Sequence, residues 1–124
     1  IVFANEHELI ALYQTKTLDE AVEAVRGKCD IAAITQGASG SLIVSHDQTF
    51  KVACHPAPSV EDSTGAGDQY AAGFLFGLAR GMDLPTCGKL ASLAAAEVIS
   101  HIGPRPQTSL AALANTQLNL KLAA

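Results

Sequence analysis

Asp62-Ser63-Thr64-Gly65-Ala66-Gly67-Asp68 places two glycines and a carboxylate where a proline-bearing loop gives way to an apolar run. Glycines let a backbone approach an anion closely, and the unpaired N–H groups of a helix's first turn point at that anion with the macrodipole behind them. Such a loop could hold phosphate groups. Asp68, in the first turn, stands where it could take a proton from a hydroxyl attacking a phosphoryl group, its value lying in position more than in basicity. The Gly-Lys-Ser/Thr ending of a P-loop is missing, so the cradle would work without that lysine. A plain tight turn opening an acidic helix is the competing reading, because a lone glycine pair is a weak signal.

Three other segments carry groups of interest. Asn5 and Glu8 are three residues apart and share a helix face, although an ordinary capped, acidic first turn accounts for them too. Thr35, Gly37 and Gly40 follow a strand-like run, where a hydroxyl and exposed backbone donors could meet phosphate or ribose; a hairpin turn is the plain alternative. The small residues Ala91 to Ala96, with Ser92 among them, and Gly103 could let a flat base lie against a helix, and helix packing explains small residues equally well. His7, His46, His55 and His101 fall at no metal-ligand spacing, so no zinc or iron centre is expected. His101 draws notice only for its nearness to the small-residue segment. Cys29, Cys54 and Cys87 are odd in number and form no Cys-x-x-Cys pair, which predicts reduced structural thiols.

The elements positioning these residues follow from periodicity and punctuation. A strand is expected to end at Ala4, followed by a helix capped by Asn5 and a second with Thr17 and Glu20 as a capping box and Gly27 at its end. Residues 30–35 read as a strand buried on both faces, residues 36–40 as a turn, and 42–44 with 50–54 as a hairpin about Ser45 to Gln48. After a loop over 55–64, a helix runs from the Gly65 loop to Ala79, its Gly73 and Gly77 allowing close approach to a sheet. Another begins at Asp83 or Thr86 and ends at Gly103-Pro104, and a last one starts near Thr108. This order predicts a layered α/β domain with a largely parallel sheet and ligands beyond the strands' carboxyl ends.

With 124 residues, 48% of them hydrophobic, the chain fits one compact unit. It opens at Ile1 inside an apolar run, and the expectation is a piece of a longer chain. A net charge of −4 gives no long-range attraction to nucleic acid or an anionic membrane. No apolar run approaches the roughly 18–20 residues of a membrane span. A cytoplasmic protein without nucleic-acid or membrane partners is expected.

Asp62 to Asp68, continued by Gln69-Tyr70-Ala71-Ala72-Gly73-Phe74, resembles the C-terminal signature of PfkB carbohydrate and nucleoside kinases, with Ser63 in place of the usual Thr. The resemblance implies an α/β fold: the C-terminal part of a ribokinase-like three-layer α/β/α domain, without its N-terminal portion and lid. Residues 1–124 would be the nucleotide-binding and catalytic part of that single domain. It implies Asp68 as catalytic base and an anion hole from Gly65, Ala66, Gly67 and Asp68. Thr35, Gly37, Gly40, Ser92 and Gly103 match nucleotide-binding positions, and Asn5 and Glu8 a motif acting on Mg2+ through water. Asp62, Thr64 and the Gly103 carbonyl match positions where some members hold a monovalent cation such as K+. The implied activity is transfer of the γ-phosphoryl group of ATP to a primary hydroxyl.

Ser92 to Pro106 looks most like bacterial adenosine-kinase-type members, which makes a nucleoside, adenosine, the expected acceptor. A sugar such as ribose or fructose is the alternative, as is a noncatalytic nucleotide-binding module of the same fold. A Rossmann-type dinucleotide oxidoreductase is excluded, because the glycine loop comes late and follows a proline-rich loop. The isolated chain is expected to be inactive, and a homodimer is among the assemblies expected of the full-length protein.

Overall fold

Side chains at helix starts dictate the first third of the chain. In the computed structural model, which describes residues 1–123, β1 (Val2–Asn5) runs directly into α1 (Glu6–Tyr13), and Asn5 closes a capping box with Glu8. α2 (Leu18–Val25) is capped by the Thr17 hydroxyl, which accepts from the Glu20 N–H at 3.2 Å. Only half of the expected second box forms, because the Glu20 carboxylate reaches the Lys16 N–H instead.

β2 (Ala32–Thr35), β3 (Ser41–Val44) and β4 (Thr49–Val52) join β1 in one sheet of order β1-β2-β3-β4. β1 and β2 are parallel, with Val2 opposite Ala32 and Asn5 opposite Thr35, whereas β2–β3 and β3–β4 are antiparallel. The sheet is therefore mixed, and the largely parallel one expected from element order is corrected. The reason is loop length: a parallel return needs a crossover of about a dozen residues or more, and the turns after β2 and β3 are short. Alternation then sorts the side chains. Ala32, Ile34, Leu42 and Val44 form a core with Leu9, Ala21, Val22 and Val25 of the helices. Ala33 and Ile43, on the opposite face, are buried as well, as expected of a strand with no polar side. Residues 1–54 make up this first compact unit, and a second begins at His55.

The second unit is helical, and none of the described helices is long and apolar enough to cross a membrane. α3 (Ala66–Ala79) packs along α4 (Leu84–Ile99), and α5 (Leu110–Gln117) closes over α4. Asp83, rather than Thr86, caps α4 by accepting from the Thr86 N–H at 2.8 Å, and Ser109 caps α5. α4 stops at Ile99, short of the Gly103-Pro104 end expected from sequence.

Gly73 and Gly77 face this helix and not a sheet. A Cβ on Gly73 would lie 2.8 Å from the Leu90 carbonyl oxygen and 2.9 Å from Ala91 Cα, and one on Gly77 would meet Cys87. The two bare backbones let α3 and α4 approach closely. Burial pushes the Cys87 thiol above its ordinary value, consistent with a packing role.

Candidate active site

The N-terminus of α3 carries the Gly65 loop. Gly65 is the helix N-cap in a left-handed conformation, φ 82°, and a Cβ on it would sit 2.8 Å from Pro104 Cβ. Glycine is thus required by backbone angle and by space. With no side chain to cap the helix, its first donors depend on the loop. The Ala66 N–H donates to the Ser63 carbonyl at 3.1 Å and the Gln69 N–H to the Gly65 carbonyl at 2.9 Å. Between them, the N–H groups of Gly67 and Asp68 meet no acceptor among the described residues. Two adjacent orphan donors at the positive end of a 14-residue helix are what an anion site requires. The Asp68 side chain, in the same turn, is exposed and makes no hydrogen bond or ion pair among the described residues.

Asp62 holds the approach to this loop in place. Its Oδ1 accepts from the Thr64 N–H at 2.9 Å and its Oδ2 from the Gly103 N–H at 3.1 Å. The hydrogen bond from the Thr64 side chain, then those from the N–H groups of Thr64 and Gly103, hold the Asp62 carboxyl below its usual value, with a small contribution from His101. The Gln69 amide donates to the Pro104 carbonyl at 3.4 Å. Asp62, Thr64, Gly65 and Gly103, four positions singled out in the sequence, are thereby brought together. Ser92 lies within α4 and is 8% exposed.

Sequence reasoning missed Glu97, Pro104 and Gln107, which shape the segment beside Gly65. The Glu97 carboxylate, buried on α4, accepts from the Gln107 N–H. One signal was available: Glu97 is an acid inside an alanine-rich apolar run, four residues before His101.

In the first unit, Asn5 and Glu8 exchange hydrogen bonds. The Glu8 N–H donates to Asn5 Oδ1 and the Asn5 N–H to Glu8 Oε2, both at 2.8 Å. Both side chains are exposed, and the box uses one Glu8 oxygen. Because Asn5 pairs with Thr35 across the parallel strands, a carboxamide, a carboxylate and a threonine gather at the strands' carboxyl ends. Gly37 is exposed in a 3-10 turn (Gly37–Ser39). Gly40 is buried, and a Cβ there would collide with the Val52 carbonyl oxygen, so its bareness serves the contact between turn and strand. No group of three His, Cys, Asp or Glu side chains among the described residues could hold a metal directly. Exposed oxygens such as those of Asn5 and Glu8 fit a magnesium ion that keeps its waters.

A profile of the pfkB family carbohydrate kinase matches residues 1–110. A nucleoside kinase of Methanocaldococcus jannaschii is 33% identical over 102 residues, which cover 82% of this chain and 33% of that protein. Among solved structures, an adenosine kinase from Sinorhizobium meliloti superimposes with a TM-score of 0.89 at 46% identity, over 93% of this chain and 36% of the other. A probable sugar kinase from Rhizobium etli CFN 42 does so with a TM-score of 0.93 at 42% identity, over 96% and 36%. This chain belongs to the pfkB family of carbohydrate kinases, and its α/β fold is ribokinase-like. It spans about a third of the length of the curated relatives it matches.

Proposed function

We propose that this chain is the C-terminal, nucleotide-binding and catalytic part of an ATP-dependent kinase that phosphorylates a primary hydroxyl of a nucleoside, adenosine in particular. The observation carrying this reading is the first turn of α3: the unpaired N–H groups of Gly67 and Asp68 beside an exposed, unpartnered Asp68 carboxylate. Donors preorganised for an anion, next to a group able to accept a proton, are the two parts that phosphoryl transfer asks of a protein.

In the proposed reaction the acceptor hydroxyl oxygen forms a bond to the γ-phosphorus, the bond from that phosphorus to the ADP oxygen breaks, and the hydroxyl proton passes to Asp68. Charge on the phosphoryl oxygens is met by the backbone donors of the Gly65 to Asp68 loop. Thr35, Gly37 and Ser92 would contact the nucleotide, with Gly40 shaping the turn. Asn5 and Glu8 would hold Mg2+ through water, and the ion would neutralise phosphate charge. Asp62, Thr64 and the Gly103 carbonyl are the proposed K+ site.

The nucleoside assignment is supported by the 46% identity to an adenosine kinase and by the archaeal nucleoside kinases among the relatives. A sugar acceptor is the second reading, favoured by the 42% identity to a probable sugar kinase. The test is ATP-dependent phosphorylation by the complete protein, with and without Asp68→Asn, across adenosine, other nucleosides, ribose and fructose. Transfer to adenosine that depends on Asp68 is expected. Transfer only to a sugar would replace the acceptor, and nucleotide binding without transfer to any acceptor would favour a noncatalytic module.

A further inference from the structure

Glu97 closes α4 with a carboxylate only 7% exposed, among alanine and valine neighbours in sequence. Burying a charge is costly unless it is paired and hydrogen-bonded, so packing alone gives no reason for an acid here. Its Oε1 accepts from the Gln107 N–H at 3.0 Å and pairs with His101 Nε2 at 3.0 Å. Oε2 is buried with no partner among the described residues.

These two partners stand at the ends of the segment 101–107, and the middle of that segment lies against the anion loop. The Gly103 N–H reaches Asp62, the Pro104 ring fills the space a side chain at position 65 would need, and the Pro104 carbonyl accepts from Gln69. A single carboxylate oxygen thus ties down both ends of a strap whose centre shapes the loop leading into α3. We infer that Glu97 is a positioning residue for the anion loop, acting through residues 101–107. Its kinetic consequence rests on the kinase reading above; its structural consequence does not.

The experiment uses the complete kinase in four forms: wild type, Glu97→Leu, Glu97→Gln and His101→Phe. It reads amide hydrogen exchange at Gly103 and Thr64, together with kcat and the KM values for ATP and acceptor. Leucine fills the volume but accepts no hydrogen bond. Exchange at both amides should rise about tenfold or more, and kcat should fall about tenfold to a hundredfold, as for a displaced catalytic geometry. The acceptor KM should stay near wild type. Glutamine keeps an acceptor oxygen on the same frame and should restore both readouts to within about threefold of wild type. His101→Phe cuts one tie and leaves the other, so it should fall between, and it keeps the question decidable if Glu97→Leu does not fold.

Wild-type exchange at Gly103 and Thr64 in Glu97→Leu or His101→Phe would overturn the inference. So would faster exchange with unchanged kcat, or a glutamine variant behaving like leucine. A wild-type protein that phosphorylates no acceptor would defeat the kinase reading alone, and the exchange measurements would still decide whether Glu97 holds the strap.

Discussion

The Gly103 N–H donates to Asp62 Oδ2 across 3.1 Å, joining two segments 41 residues apart in sequence. With the Thr64 bonds, it holds the Asp62 carboxyl below its ordinary value. An acid depressed in the folded state adds stability above its unfolded value, and that stability is lost as pH falls through the folded value. Asp62→Asn should therefore lower the Tm at neutral pH, with the gap to wild type closing as pH drops below about 4. Thermal unfolding of both forms across that range checks this. A gap independent of pH would mean that the ionised carboxylate is not the source.

Asp68→Asn separates binding from chemistry. The amide keeps size and shape but cannot take the hydroxyl proton, while the N–H donors of Gly67 and Asp68 are backbone groups that survive the change. Turnover should fall about 10²- to 10⁴-fold, with nucleotide affinity by calorimetry close to wild type. Unchanged turnover would remove Asp68 from the mechanism.

Gly67 and Gly73 lie on one helix and should respond oppositely to alanine. At Gly67 a Cβ meets nothing within 4 Å, whereas at Gly73 it would press on the Leu90 and Ala91 backbone. Gly73→Ala should destabilise by about 1–3 kcal/mol through overpacking and leave the KM for ATP alone. Gly67→Ala should hold or slightly raise the Tm, alanine being the better helix former, but raise the KM for ATP by obstructing close approach of a phosphate. Thermal unfolding with steady-state kinetics on both variants decides it, and a shared pattern would show that Gly67 faces no ligand.

What the sequence revealed and what it hid divide along range. Asn5 and Thr17 were legible as caps, and Asp83 as one of two candidates with Thr86, because a cap joins residues three apart and needs no knowledge of the rest of the fold. The Gly65 to Asp68 loop was legible for the same reason: its angles and orphan donors are local. The antiparallel β3–β4 hairpin was legible in its polar tetrapeptide Ser45 to Gln48, but the antiparallel pairing of β2 with β3 was not, because a short turn fixes direction only once pairing partners are known. The partner of Gly73 and Gly77 was hidden too, since a bare helix face says that something approaches and not what. Glu97 was passed over because its meaning lies in Gln107 and His101, and through them in Asp62 and Gly65, contacts visible only in three dimensions.

Glu8 carries two roles that one substitution can divide. Its Oε2 accepts the Asn5 N–H in the capping box, and its charge is proposed to help hold hydrated Mg2+. Glu8→Gln keeps an acceptor and removes the charge, so stability should change by no more than about 0.5 kcal/mol. Asn5→Ala deletes the cap itself and should cost about 1 kcal/mol. If Glu8 serves the ion, the Mg2+ concentration giving half-maximal rate should rise several-fold in Glu8→Gln, at a wild-type Tm. Should Mg2+ dependence stay as in wild type while Asn5→Ala alone loses stability, Asn5 and Glu8 are an ordinary acidic helix start, and the ion is held elsewhere.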